Sequence, residues 1–213
     1  MTEQIDLNRP GVEVAPLLLG AVLTCGTGTE QVSVRLTEVE AYMGTTDPGS
    51  HAYRGRSART ATMFGPAGHL YVYRHLGLHY CMNLVCSPEG EASAVLLRSA
   101  QVVDGAASAW QRRQAAGVCR REIDLARGPA RLTVAMNITG ADDGVAVGLG
   151  MPAPGRGLQL REPGRVPAAQ IRTGVRVGVS GAGGGKAYPW RFWIADDPHV
   201  TTYRAAQPRR RSR

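Results

Sequence analysis

The chain has 213 residues, 43% of them hydrophobic, which suffices for one domain with a sizeable core and demands no second. Its formal charge of +8 suggests a polyanionic partner, but five arginines lie in the last ten residues, R-A-A-Q-P-R-R-R-S-R, leaving +3 over residues 1–203. No long apolar run or signal segment is present, and Cys25, Cys81, Cys86 and Cys119 form no C-x-x-C pair, so buried thiols in a reducing cytoplasm are expected. The expected organisation is one soluble domain over 1–203 and a basic, disordered tail over 204–213 suited to non-specific phosphate attraction.

Residues 1–11 read as a loose lead-in, and residues 12–19 show a short helical pattern with Pro16 near its start. A strand over 21–25, a Gly26-Thr27-Gly28 turn and a strand over Val32–Tyr42 follow as a hairpin. On that second strand Val32, Val34 and Leu36 share a face, which the two-residue period continues into Glu38 and Glu40, opposite Ser33, Arg35, Thr37, Val39 and Ala41. A strand that aims carboxylates where it aimed its core either ends at the surface or opens into a pocket. Residues 43–68 have no clear period and hold Asp47-Pro48-Gly49, His51, Arg54, Arg56 and Arg59, the profile of a functional loop.

Two strands over 70–73 and 78–85, joined by Arg74-His75-Leu76-Gly77, come next, then one over 94–97 ending on Arg98. Asp104 is placed to cap a helix over 105–116, which Gly117 stops. Gly128-Pro129-Ala130-Arg131 opens another, with Leu132, Ala135 and Met136 as its apolar stripe; its start beside Arg131 reads equally as a phosphate seat or as an ordinary helix N-terminus. Residues 140–170 read as Gly- and Pro-rich loops with a short strand at 158–160. Late strands are expected over 175–179 and Arg191–Ile194, separated by a flexible turn, 181–186, that lacks P-loop spacing. The fold class is α/β of the α+β type: one curved, mainly antiparallel sheet flanked by helices and long loops.

Near Glu40 in sequence stand Tyr42, His51, Tyr71-Val72-Tyr73 and His79-Tyr80-Cys81-Met82-Asn83. Aromatic residues interleaved with arginines suit a flat cavity for a planar or cationic ring, and equally an ordinary core. His75 and His79 have ligand spacing for a helix but fall in turn and strand with no third ligand, so neither a metal nor a cofactor is expected. The residues alone leave Glu38 and Glu40 undecided.

In order, the motifs T-E-V-E-A-Y, H-A-Y-R-G-R, M-F-G-P-A-G-H-L-Y-V-Y, H-Y-C-M-N, V-L-L-R, R-G-P-A-R-L, R-V-G-V and P-W-R-F resemble the alkyladenine DNA glycosylase family, the 3-methyladenine DNA glycosylases of mammalian type. The resemblance runs from about residue 17 to residue 200. It implies a base-excision repair enzyme that flips an alkylated purine out of duplex DNA and hydrolyses its N-glycosidic bond. Glu40 matches the family's general base and Arg98 a residue that helps to hold the water; Tyr42, His51 and Tyr73 match the pocket that sandwiches the base. Asn83 matches the position that disfavours guanine's exocyclic amino group. Leu76 stands where mammalian members carry a wedging tyrosine, and Arg54, Arg56, Arg59 and Arg131 are expected on the DNA backbone. Ser57-Ala58-Arg59-Thr60 departs from the family's commoner T-P-R-N type of run.

A glycosylase that also nicks the strand needs an amine, and the only lysine, Lys186, lies far along the chain from the other motifs, so a monofunctional enzyme is expected. The expected partner is double-stranded DNA containing damaged purines, met by a monomer with no membrane attachment, in the cytoplasm and, in a bacterium, with the nucleoid. The rivals are a catalytically silent nucleic-acid-binding module of the same fold and a nucleoside hydrolase acting on small molecules.

Overall fold

The computed structural model describes residues 4–162 and 164–206, so most of the arginine-rich tail lies outside the described residues. Nine strands form one sheet: β1 (Val22–Cys25), β2 (Val32–Tyr42), β3 (Leu70–His75), β4 (His79–Val85), β5 (Ala94–Asp104), β6 (Gly148–Leu149), β7 (Gln159–Arg161), β8 (Ile171–Gly174) and β9 (Arg191–Ile194). The main path runs β3-β4-β5-β2-β1-β7-β6, every pairing antiparallel except β6 with β7. Helices α1 (Gly11–Val14), α2 (Ala106–Ala115) and α3 (Pro129–Ala135) and several 3₁₀ turns flank it. This is the curled α+β sheet expected from the sequence. Among the described residues no helix is long and apolar enough to cross a membrane, and all four cysteines are free and buried.

The centre of the sheet is an irregularity that alternation alone does not reveal. Across β2 and β5, Leu36 faces Ala100, Glu38 faces Ser99 and Val39 faces Leu97, so Thr37 on one strand and Arg98 on the other are extra residues. A bulge reverses which face later residues take. Val32, Val34 and Leu36 therefore lie in the main core, and beyond the bulge Val39 and Ala41 replace them there. Glu38 and Glu40 do not continue the apolar face, as an unbroken period had predicted; they point to the other side. The same irregularity changes partners: residues 32–35 pair with β1, whereas residues 38–40 pair with β9.

Other expectations are corrected in detail. The lead-in is not loose where it is described, because Ile5 and Leu7 are buried in the core and the Ile5 amide donates to Glu162. Asp104 does not cap α2; β5 runs on through it, Asp104 accepts from Gln31, and Gly105 makes the turn at φ 73°. A β-carbon on Gly105 would also strike the Gln31 carbonyl. α3 does start with Pro129 at its first position. Residues 175–179 are not a strand: the strand is β8, just before, and the side chain buried in that segment is Arg176 rather than a valine. The glycine-rich 181–186 stretch is a packed 3₁₀ turn in which a β-carbon on Gly183 would collide with Gly49.

Candidate active site

The two bulges place an arginine between two carboxylates. Bulges commonly re-aim a side chain, and here Arg98 leaves the ladder and reaches Glu38 through Nε at 3.0 Å and Glu40 through Nη1 at 3.5 Å. Both carboxylates are fully buried, yet their surroundings differ. Glu38 accepts hydrogen bonds from Arg98 Nε, from Arg191 Nε at 2.7 Å, and from the Thr201 amide and hydroxyl, both at 2.7 Å to Oε2. A carboxylate offers about four acceptor sites, so Glu38 is filled. Among the described residues, and apart from the longer ion pair with Arg98, Glu40 accepts only from the Val177 amide at 2.7 Å on Oε1 and from the Tyr42 hydroxyl at 2.9 Å on Oε2. Burial by itself would lower the Arg98 pKa, but Glu40 and Glu38 outweigh it and raise it.

Tyr42, Arg98 and Val177, which meet the Glu40 carboxylate, all line a cleft of about 560 Å³. Its walls also include His51, Tyr71, Tyr73, Cys81 and Asn83. Burial, then the neighbouring Glu40, pushes the Tyr42 pKa well up, so the hydroxyl remains a donor. The His51 ring stands edge-on to Tyr73 with centroids 4.5 Å apart, and Tyr73 stacks near Tyr71 at 5.6 Å. Arg59 donates to His51 Nε2 at 3.2 Å, which leaves Nδ1 as the protonated nitrogen facing the Tyr71 hydroxyl at 3.1 Å. Burial, then the charge of Arg59, lowers the His51 pKa to about 4, so the ring is neutral at pH 7. Asn83 is buried and fixed by donating to the Tyr71 carbonyl at 3.0 Å.

A buried carboxylate with unused acceptor capacity is set against an aromatic slot, and the comparison with known proteins decides the family. The methylpurine-DNA glycosylase family matches residues 5–198. The chain belongs to this family. A protein of Streptomyces avermitilis named "Putative 3-methyladenine DNA glycosylase" is 52% identical over 95% of this chain and 92% of its own length. Proteins of the same name from Leifsonia xyli subsp. xyli and Frankia casuarinae are 50% identical over 96% of this chain and 97% of their own, and 46% identical over 97% and 93%. The chain is thus a DNA glycosylase, a hydrolase of DNA repair.

On the glycosylase surface the remaining expected residues fall into separate environments. Leu76 occupies the tip of the β3–β4 hairpin and is 80% exposed, with φ 50° followed by Gly77 at φ 69°. Arg54 and Arg56 are exposed on the loop that carries His51. Arg59, exposed on the same loop, leans toward the slot, its guanidinium 5.9 Å from the Tyr73 ring centre. Arg131 pairs with Asp124 at 3.1 Å. His75 and His79 face each other across the hairpin rather than along a helix. Lys186 is exposed and does not line the cleft.

Sequence reasoning gave no role to the residues that make the surroundings of the two carboxylates differ. The Val177 amide is invisible to side-chain motifs. Arg191, Thr201 and the segment around them clasp the Glu38 side: Arg35 pairs with Asp197 at 2.6 Å, and Arg127 donates to the Val200 carbonyl at 3.0 Å. The signals for them were the motifs R-V-G-V, which holds Arg176 and Val177, and P-W-R-F, which holds Arg191.

Proposed function

We propose that this glycosylase flips 3-methyladenine and related alkylated purines out of duplex DNA into the cleft between Tyr42, His51 and Tyr73, and hydrolyses the N-glycosidic bond without cutting the strand. Extruding a base costs a few kcal/mol, least where pairing is already damaged, so lesions are partly selected before the pocket reads them. N-alkylation makes the purine a cationic ring, attracted to tyrosine faces and a better leaving group. As the bond to the sugar breaks, positive charge develops at the anomeric carbon; Glu40 stabilises it and accepts a proton from the attacking water, with Arg98 beside both. Asn83 closes the slot against an exocyclic amino group.

The observation that carries this reading is the contrast in acceptor capacity: Glu38 is filled by four donors, while Glu40 takes two hydrogen bonds, both from residues of the cleft wall. For Leu76 the support is conformational. A leucine in the left-handed region is strained by roughly 1–2 kcal/mol, and strain kept at an exposed tip suits a wedge that fills the space a flipped base leaves. Arg54 and Arg56 are the best placed for phosphates, with Arg59 and Arg131 needing to leave His51 and Asp124 to join them. The domain over 1–203 acts as a monomer in the cytoplasm, at the nucleoid in a bacterium, with the tail over 204–213 adding non-specific attraction to DNA.

The test is incubation of the full chain with alkylated duplex DNA, following released base and strand length separately. Release of methylpurine with strands intact until alkali treatment is expected. No release would favour a silent binding module, and nicking that vanishes in Lys186→Ala would mark a lytic enzyme.

A further inference from the structure

Arg176 has no part in the chemistry described above, yet it is fully buried and touches three pieces of the cleft. Its Nη1 donates to the Ala41 carbonyl at 2.9 Å, between Glu40 and Tyr42 on β2. Nη1 and Nη2 meet the two oxygens of Asp47 at 2.6 and 2.7 Å, and Nη2 also donates to the Gly183 carbonyl at 2.7 Å. The guanidinium carbon lies 4.5 Å from the centre of the Tyr42 ring. Tyr42 lines the cleft and Arg176 does not, so the cation backs the ring on the side away from the base slot. The next residue is Val177, whose amide donates to Glu40. A β-carbon on Gly49 would come within 2.5 Å of Nη2, and one on Gly183 within 2.2 Å of the Gly49 nitrogen, so two glycines let two loops close over the guanidinium.

A buried ion pair is a poor device for stability alone, since desolvation consumes most of its attraction and a well-packed apolar pair often does as well. What an apolar pair lacks is direction. A planar fork whose two terminal nitrogens are both engaged, with only Nε unpartnered among the described residues, fixes the orientation of everything it bonds. We propose that Arg176, gripped by Asp47, is a positioning residue of this glycosylase: it aims the Val177 amide at Glu40 and holds the back of Tyr42, so that the general base and one wall of the base slot form a single rigid unit. The proposal rests on the reading of Glu40 as the general base.

The test compares Arg176→Lys and the apolar double variant Arg176→Leu/Asp47→Leu with the unmodified chain. Two quantities are read: single-turnover excision from alkylated duplex DNA, and affinity for a duplex carrying a tetrahydrofuran abasic analogue. Both variants, shown folded by near-ultraviolet circular dichroism, should excise about 10–100-fold more slowly, as expected for a catalytic group displaced by a fraction of an ångström. Affinity for the analogue should stay within about threefold, and lysine should not rescue the rate, because an ammonium cannot make the fork. A folded double variant with the unmodified rate overturns the proposal. So does a loss of affinity equal to the loss of rate, which would mean a merely structural role. Glu40→Gln is run beside them: undiminished excision there overturns the underlying reading, whereas loss there with normal rates in the Arg176 variants overturns positioning alone. One measurement needs no Arg176 variant. The Val177 amide of the unmodified chain should be protected from exchange and shifted downfield in nitrogen-edited spectra, and should move upfield in Glu40→Gln; exchange at the rate of an open loop overturns the proposal.

Discussion

Glu38 and Glu40 stand two residues apart on one strand, equally buried, and touch the same arginine, but they belong to different regions. Around Glu38 the segment from Arg191 to Thr201 forms a clasp, and every acceptor site of the carboxylate is taken by Arg98, Arg191 and Thr201. Around Glu40 the donors come from the cleft wall, one backbone amide and one tyrosine, and capacity is left over. Residue type does not distinguish a structural carboxylate from a chemical one. On the proposed reading, the number and origin of its donors do.

The largest expected effect comes from removing what the two regions share. Arg98→Leu leaves Glu40 buried without its cation and Glu38 with Arg191 alone, and should cost about 3–5 kcal/mol of stability, read as a lower urea midpoint. An unchanged midpoint would mean that the clasp and the cleft are not coupled through Arg98. Tyr42→Phe acts on the cleft alone: it keeps the ring but removes a hydrogen bond to a carboxylate, so single-turnover excision should fall roughly 10–100-fold with little change in urea midpoint. A matching loss of stability would assign Tyr42 to the scaffold. Leu76→Ala, farther from the chemistry, should slow excision by up to about tenfold on duplex and leave single-stranded substrate nearly untouched, since only the duplex must be wedged open. Equal losses on both substrates would argue against a wedge.

The smallest effect is a titration. With its pKa lowered to about 4 by burial and then by Arg59, His51 stays neutral in the folded chain between pH 4 and 6.5, where the unfolded chain takes up a proton. Stability from this group is therefore present above about pH 6.5 and is lost as pH falls toward 4. The His51 Cε1 resonance should show a midpoint below pH 5, and Arg59→Ala should raise it. A midpoint near the free-histidine value would mean an open, fully solvated ring.

Much of this was legible in the sequence. The limits of β2 follow from its alternation, and Pro129 marks the start of α3. The order of motifs pointed to Glu40, Arg98 and the aromatic slot. What was not legible has one physical source: alternation assumes an unbroken ladder, and extra residues at Thr37 and Arg98 break it where the site lies. Extrapolating from Val32, Val34 and Leu36 put Glu38 and Glu40 on the core side; the bulge gives that side to Val39 and Ala41. The Val175–Val179 stretch misled for a related reason, because its buried member is a cation whose partner, Asp47, is 129 residues away. Long-range pairing of this kind leaves no local period.

The distinction between the two carboxylates is tested most directly by single-turnover excision with Glu40→Gln and Glu38→Gln, each normalised to its folded fraction. Glu40→Gln should lose about 10²–10⁴-fold in rate while still binding lesion-bearing duplex, because the amide keeps the shape and loses the base. Folded Glu38→Gln should retain most of its rate and lose stability instead. Normal excision by Glu40→Gln, or a collapse of rate in folded Glu38→Gln, would place the chemistry at the other carboxylate and contradict the account.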